Sequence, residues 1–168
     1  MRRVILAVVA LLFTTGVASA QNYMVVDSEK VFKSLAEYNS ALEQIESLSK
    51  SYQEAVDAKF QEVERLYNAY MQQRASLSAT SRQQVEQQIL DLETKATEYQ
   101  ESLFGTEGEL MKRRMELIQP IQNKVFTAIE NFSKQYGYDL VIDIAANPTI
   151  LYYSEKVNFT ARIIETLK

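Results

Sequence analysis

Apolar residues recur every three or four positions along two long stretches of the chain. The first stretch lies between Ser28 and Leu77, where fifty residues contain no glycine and no proline. The alternation of three- and four-residue spacings between apolar positions is typical of a coiled-coil seam. The intervening residues are mostly Glu, Gln, Lys and Ser. The pattern therefore predicts one long helix, whose seam contains Leu42, Ile45, Tyr52, Val56, Phe60, Val63, Tyr67 and Tyr70.

A second seam follows a short polar break at residues 77–81. It runs from Val85 to Phe132 with nearly the same spacing, and Gly137 is placed where a helix would end. Two long matched seams that are joined by a short turn predict an antiparallel helical hairpin.

The tip of this hairpin carries helix-start signals. Thr80 or Ser81 can form a capping box with the glutamine three residues later, which satisfies free backbone donors at the start of the second helix. When the two seams are aligned through this turn, Tyr70 faces Ile89.

Two glycines and a proline interrupt the second seam. Glycine inside a helix lowers its stability by about 1 kcal/mol relative to alanine, so the presence of Gly105 and Gly108 indicates a structural or functional role. Two interpretations are open: they make room for the bulk of Tyr52 opposite, or they form a flexible waist in the middle of the arm. Pro120 deletes one helical hydrogen bond and predicts a kink. We take Gly105, Gly108 and Pro120 as candidate hinge positions.

Short apolar runs outside the hairpin predict a small β-containing body. Residues 23–27, 138–144 and 149–153 have the composition of strands, and residues 161–167 predict a final helix. Three strands leave two open edges, and a body of about sixty residues is marginal alone, which predicts an obligate oligomer with a shared core. The candidate oligomerisation residues are Val25, Val26, Leu140, Val141, Ile142, Ile150 and Leu151.

The N-terminus has the pattern of an export signal. Two arginines precede an apolar run at residues 4–13, and Ala18-Ser19-Ala20 forms an A-x-A cleavage site. The run is too short to span the ~30 Å hydrocarbon layer of a membrane. We therefore predict an exported protein with a signal peptide at residues 1–20, cleaved after Ala20, and no stable membrane insertion.

The predicted fold class is α+β. A long antiparallel α-helical coiled-coil hairpin over residues 36–117 forms an arm, and residues 21–35 together with 118–168 form the oligomerisation body.

Composition and charge exclude several classes of function. The chain contains no Cys, no His and no Trp, so it has no disulfide, no thiol nucleophile, no histidine acid/base pair and no Cys/His metal site. Its formal net charge of −4 argues against nucleic acid as a partner. The phosphate-binding pattern G-x-x-x-x-G-K-[ST] is absent as well. We expect no cofactor and no catalytic activity.

One pair of carboxylates deserves comparison with an active site. Asp139 and Asp143 lie four residues apart on a predicted strand and therefore on the same face, as two catalytic carboxylates would. Nothing else accompanies them, so solvation of a strand edge is the preferred interpretation.

The order of these elements resembles the Skp/OmpH family of periplasmic chaperones over essentially the whole chain that follows the signal. Val25-Val26-Asp27 leads to Val31-Phe32 and the hairpin; after the hairpin come residues 121–125, 136–143, 150–152 and 158–160. The resemblance implies a jellyfish-like homotrimer in the periplasm, with three helical arms around a cavity. It implies ATP-independent holding of unfolded outer-membrane proteins before membrane insertion.

One departure from the family concerns charge. Many family members are strongly basic, whereas this chain without residues 1–20 carries 16 basic and 22 acidic residues. Lys112-Arg113-Arg114 is its one tight basic cluster, and it is interpreted as a solvated helix face. We therefore do not carry a lipopolysaccharide site over to this chain.

Candidate client contacts are pliable or amphipathic residues outside the seam, namely Tyr38, Met71 and Leu77. Extra packing along the seam is an equally good interpretation of these three. An alternative function is a structural or adaptor coiled coil of the cell envelope, which would bind one specific folded partner instead of many unfolded ones.

Overall fold

The computed structural model describes residues 22–168. The predicted signal peptide at residues 1–20 lies outside the described residues. The elements in chain order are strand β1 (Tyr23–Val26), helices α1 (Ser28–Lys33), α2 (Ala36–Gln73), α3 (Ala79–Phe104) and α4 (Glu109–Tyr136), strand β2 (Leu140–Asp143), a 3-10 turn (Glu155–Val157) and helix α5 (Thr160–Leu167).

The described chain divides into two compact units. One unit, the hairpin unit, consists of residues 32–125, and the other, the body unit, consists of residues 22–31 and 126–168. The α+β fold with a long helical hairpin and a small β-containing body is confirmed. The borders at residues 36 and 117 stay a prediction.

The hairpin unit is held together by the apolar seam between its helices. Tyr52 contacts Phe104 while Tyr70 contacts Glu86, so residue numbers rise on α2 as they fall on α3, and the two helices are antiparallel. Val56 is 1% exposed, and burial of a side chain of this size contributes about 1.5–3 kcal/mol. The other buried seam positions are Ala41, Ile45, Tyr70, Ala96, Leu103, Ile121 and Val125.

The hairpin turns at residues 74–78, and the capping residue of α3 differs from the prediction. Ser78, not Thr80 or Ser81, is the N-cap, and its hydroxyl accepts a hydrogen bond from the backbone N–H of Ser81 at 3.1 Å. The helix begins at Ala79, so the predicted cap residues already lie inside its first turn.

The first predicted helix is interrupted near its start. The chain leaves the helical conformation at Ser34 and Leu35, where Leu35 has φ −89° and ψ 121°. The side-chain amide of Asn39 donates to the carbonyl of Lys33 at 3.0 Å and satisfies one of the acceptors that the end of α1 leaves free. A continuous helix from Ser28 was therefore the wrong prediction, because no Gly or Pro marks this break.

The second predicted helix is also two helices. Gly105 ends α3 with an extended ψ of 172°, and the N–H of Gly108 donates to the carbonyl of Gly105 at 2.9 Å. A Cβ on Gly108 would lie 2.7 Å from the carbonyl oxygen of Leu103. The glycines therefore form a tight corner, and their placement inside a continuous helix was wrong. Pro120 lies within α4, which continues across it.

The body unit contains a two-stranded parallel sheet. Tyr23 pairs with Leu140 and Val26 with Asp143. On its other side β1 meets Asn158 through an isolated bridge from Val25. Consequently β1 is enclosed from both sides, and Met24, Val25 and Val26 are at most 2% exposed.

The predicted third strand at residues 149–153 does not form. β1 has neighbours on both sides, and within residues 22–168 the outer edge of β2 is not paired with this segment. Its side chains Leu151 and Tyr152 are 95% and 85% exposed. The two other predicted strands are confirmed as β1 and β2.

Aromatic rings fill the core of the body unit beside the sheet. Phe132, 4% exposed, lies with its ring centroid 4.5 Å from that of Tyr136 and 5.8 Å from that of Phe159. The guanidinium carbon of Arg162 lies 5.4 Å from the Tyr136 centroid and 5.7 Å from that of Phe132, within the range of a cation–π contact. Together with Ile163 these contacts fix α5 against the end of α4.

Candidate functional site

A groove of about 520 Å³ lies between α2 and α3 near the tip of the hairpin. Its residues are spaced by three and four positions on each helix, so they form one continuous face. From the α2 side it is lined by Tyr67, Tyr70, Met71 and Arg74, and from α3 by Glu86, Ile89, Leu90 and Glu93. This surface is called the tip groove below.

The tip groove presents exposed apolar side chains. Tyr67, Met71 and Leu90 are 48%, 49% and 55% exposed. Thioether and phenol side chains adapt to partners of different shape, since the first is flexible and the second combines an apolar ring with a polar end. The groove can therefore contact apolar segments of varied sequence.

A hydrogen-bonded triad forms the tip end of this groove. Tyr70 is buried, and its hydroxyl donates to the carboxylate of Glu86 and accepts from Nε of Arg74 at 3.2 Å. The bond to Tyr70 raises the pKa of Arg74, whose charge is thus favoured. Predicted neighbours Tyr70 and Ile89 do line the same groove, although the hydroxyl reaches one helical turn closer to the tip.

The three predicted client contacts lie in different places. Met71 lines the tip groove. Leu77 is half-buried in the turn, where its carbonyl accepts from Nε of Arg82 at 3.2 Å. Tyr38 is half-buried at the other end of α2, with its ring centroid 5.3 Å from that of Phe32. Since Tyr38 and Met71 are about 50 Å apart along the helix, the structure does not bring them together.

Charge is distributed unevenly along the chain. Residues 36–104 carry 12 acidic and 6 basic side chains, while the remainder of residues 22–168 carries 10 of each. The hairpin formed by α2 and α3 therefore holds the whole excess of negative charge. All of its acidic residues are exposed: Glu37, Glu43, Glu46, Glu54, Asp57, Glu62, Glu64, Glu86, Asp91, Glu93, Glu98 and Glu101.

The basic cluster at residues 112–114 borders two shallow grooves between α2 and α4. Arg114 lines one groove with Lys50, and Arg113 lines the other and pairs with Glu116 at 2.9 Å. All three side chains of the cluster are exposed, in agreement with a solvated helix face.

The candidate oligomerisation residues differ in exposure. Val25 and Val26 are buried in the sheet, whereas Leu140 is 54% and Leu151 is 95% exposed. Val141, Ile142 and Ile150 are half-buried. Leu140 on β2 and Leu151 with its neighbour Tyr152 therefore supply the exposed apolar surface of this set.

Asp139 and Asp143 have structural partners. A carboxylate oxygen of Asp139 accepts from the N–H of Asn22 at 3.2 Å. Asp143 accepts from the N–H of Ser28 at 3.1 Å, from its hydroxyl at 2.5 Å and from the N–H of Ala145 at 3.0 Å. The two bonds from Ser28 tie the start of α1 to the end of β2, a role that the sequence did not reveal because these partners are 115 residues apart.

Metal-binding clusters and membrane-spanning helices are both absent from the described part of the chain. Among residues 22–168 no three acidic side chains are grouped as ligands of a metal ion. None of the helices in this range has the length and apolar composition that crossing a membrane requires.

Comparison with known proteins gives a consistent result. A family model for outer membrane protein (OmpH-like) matches residues 22–167. The chaperone protein Skp of Photorhabdus luminescens is 22% identical over 160 residues, which cover 95% of this chain and 93% of Skp. Skp of Photorhabdus laumondii is 21% identical over the same coverage.

A solved structure supports the fold. The crystal structure of an OmpH-like candidate outer membrane chaperone from Caulobacter crescentus matches with a TM-score of 0.63 and 12% identity. The match covers 91% of this chain and 87% of the other. At this identity the likeness concerns the fold alone.

Proposed function

This chain belongs to the OmpH-like outer membrane protein family, and from this premise we propose that it is a periplasmic chaperone that holds unfolded outer-membrane proteins without using ATP. The observation that carries the proposal is the exposed apolar tip groove on a long helical hairpin, in a chain that matches Skp over 95% of its length. In this proposal the chain has no catalytic role.

The mechanism rests on many weak contacts. An unfolded barrel strand alternates apolar and polar residues and aggregates through its unpaired backbone. Adaptable side chains such as Tyr67, Met71 and Leu90 hold such segments without demanding one sequence. Tyr38 and Leu77 remain further proposed contacts. Several contacts made by the hairpins of one oligomer together bind a client tightly, although each contact alone is weak.

Release needs no nucleotide in this scheme. A client leaves when insertion into the membrane lowers its free energy more than the held state does.

Self-assembly of the body into a homotrimer completes the proposal. Leu140 on the edge strand β2 and the extended segment with Leu151 and Tyr152 expose apolar surface that a second copy can cover. A strand edge of this kind pairs readily with an extended segment of another chain. Three copies would place three hairpins around one enclosed space.

Adaptation to clients of different size is proposed to occur at the corner formed by Gly105 and Gly108. The helical hydrogen bonds are interrupted there between α3 and α4, while α2 continues past the corner. Fewer helical hydrogen bonds therefore resist bending at this point. Pro120 removes a further helical donor from α4. The leader at residues 1–20 is proposed to direct export and to be removed after Ala20.

The test is an aggregation assay. A urea-unfolded outer-membrane barrel protein is diluted into buffer with the mature chain in excess, with and without ATP, and light scattering is followed. Suppressed scattering that is independent of ATP is expected. Unchanged scattering would contradict the holding function, and stable capture of one folded envelope protein instead would favour an adaptor.

A further inference from the structure

The hairpin of α2 and α3 combines two features that together define a partner. It carries twice as many acidic as basic side chains, and the tip groove on it exposes apolar groups. We infer that this hairpin preferentially docks unfolded segments that carry net positive charge between their apolar residues. The inference rests on the proposed holding function and specifies the chemistry of its clients.

The apolar part of the contact is set by the tip groove. An extended segment rises about 3.3 Å per residue, so side chains two positions apart enter one face at a spacing of about 7 Å. Tyr67 and Met71 on one helix and Leu90 on the other provide apolar surface over that length.

The charged part of the contact is set by carboxylates at and near this groove. Glu93 lines its base end and is exposed, and Glu62 and Glu64 are exposed on α2 within two helical turns of Tyr67. The polar side chains of an extended segment point away from the groove, but a Lys or Arg stem is long enough to lie along apolar surface and place its cation at the rim. Arg74, the one cation that lines the groove, is engaged by Tyr70 at the tip end.

The field of the hairpin acts beyond these contacts. The rest of the described chain is balanced in charge, and its basic cluster at residues 112–114 borders α2 beside Lys50, about 25 Å along the helix from Tyr67, so it does not cancel the negative field at the tip groove. Such a field attracts cationic segments and repels acidic ones over about 10 Å at 0.1 M salt. Salt should therefore weaken the capture of cationic segments and strengthen the capture of acidic ones.

The experiment uses two unstructured peptides with identical apolar residues in alternating positions. One carries Lys and the other Glu at the polar positions, and binding to the full mature protein is measured by fluorescence anisotropy at low and high salt. At low salt the Lys peptide should bind at least about threefold more tightly, in the range that a few exposed ion pairs supply. The difference should shrink as salt rises. Equal binding, or tighter binding of the Glu peptide at low salt, would overturn the inference.

Matched variants locate the effect. The triple variant Glu62→Gln, Glu64→Gln, Glu93→Gln should remove most of the preference for the Lys peptide. The control triple Glu107→Gln, Glu109→Gln, Glu165→Gln changes the net charge equally, at exposed positions outside the hairpin of α2 and α3, and should keep it. Equal effects of both triples would show that total charge decides and would contradict a hairpin site.

A third variant separates this inference from the proposed function. Met71→Ser should weaken both peptides by a similar factor, because it removes apolar surface without changing charge. If neither peptide binds and barrel aggregation is not suppressed, the holding function itself fails. If both bind without a charge preference, the holding function stands and only the present inference fails.

Discussion

The hydroxyl of Tyr70 on α2 donates a hydrogen bond to the carboxylate of Glu86 on α3. Tyr70 is 6% exposed, so its ring packs in the seam while its polar end reaches the neighbouring helix. Arg74 donates to the same hydroxyl at 3.2 Å. The contact fixes the register of the two helices next to the turn, where few other residues are buried.

Replacing this phenol should therefore weaken the hairpin. Tyr70→Phe keeps the ring and removes the hydroxyl, so we expect the loss of this hydrogen bond to lower the free energy of unfolding by about 0.5–1.5 kcal/mol. The loss is not larger because the exposed Glu86 regains water when its donor is removed. Urea unfolding followed by circular dichroism measures the change. Tyr67→Phe, at a ring that is 48% exposed, is the control and should change the stability little.

Because residues 105–108 form a corner, replacing Gly108 by alanine should change the stability in the opposite direction from the same replacement inside a regular helix. Gly108→Ala places a Cβ 2.7 Å from the carbonyl oxygen of Leu103 and 2.8 Å from the backbone nitrogen of Gly105, so it should destabilise the protein by about 1–3 kcal/mol. In a continuous helix the same change would stabilise it by about 1 kcal/mol. Thermal unfolding distinguishes the two signs, with Thr106→Ala as the control. A stabilised Gly108→Ala variant would contradict the corner.

Asp143 should be important for the body unit. Asp143→Ala removes an acceptor from the N–H of Ser28, the hydroxyl of Ser28 and the N–H of Ala145, two of which are part-buried bonds. We expect a loss of about 1–3 kcal/mol and faster hydrogen exchange of the β1 amides. Asp139→Ala removes one exposed bond, at 3.2 Å, and should cost less. Equal losses in the two variants would argue against this assignment.

The proposed assembly face gives a prediction about particle mass. The double variant Leu151→Ser, Tyr152→Ser removes side chains that are 95% and 85% exposed in the single chain, so it should not unfold the body. Sedimentation equilibrium should show trimers for the parent chain and mostly smaller species for the variant. The matched variant Tyr67→Ser, Leu90→Ser removes exposed apolar groups from the tip groove and should stay trimeric. Trimers in both variants would place the interface elsewhere.

An ion pair on the exposed side of α4 predicts a pH dependence. Nζ of Lys134 lies 2.5 Å from a carboxylate oxygen of Glu130, and this hydrogen bond, with the attraction of the charges, lowers the pKa of Glu130 from its ordinary value of 4.5. The stabilisation from a lowered carboxyl pKa is present above the unfolded value and is lost as the pH falls through the folded value. A titration of Glu130 followed by nuclear magnetic resonance should show a midpoint below 4.5. Lys134→Gln should raise it, whereas Lys112→Gln should leave it unchanged.

The regular parts of the fold could be predicted because their signals are local. The seam that includes Val56 and Ala96 repeats over many turns, and both residues are buried in the structure. Pairs of β-branched residues, Val25-Val26 and Val141-Ile142, predict the strands β1 and β2. In both cases, residues that are close together in the sequence determine which face of the helix or strand is buried.

The failures have a different physical origin. Residues 149–153 have the composition of a strand, yet a strand forms only where the fold brings the segment alongside a partner edge, and this depends on residues far away in the chain. The break at Leu35 carries no Gly or Pro. The roles of Asp143 and Tyr70 depend on atoms that meet only after folding, so a linear pattern could not show them.

The pairing of Asn22 with Asp139 has a consequence for the order in which the molecule folds. These residues are 117 positions apart, and joining them from a random coil would carry a large loop-closure entropy. We expect the helical segments between them to form first, because their contacts are local, and the doubling back of the hairpin to shorten the effective loop. The strand β1 can therefore pair with β2 only when the chain as far as residue 143 is available in the same compartment.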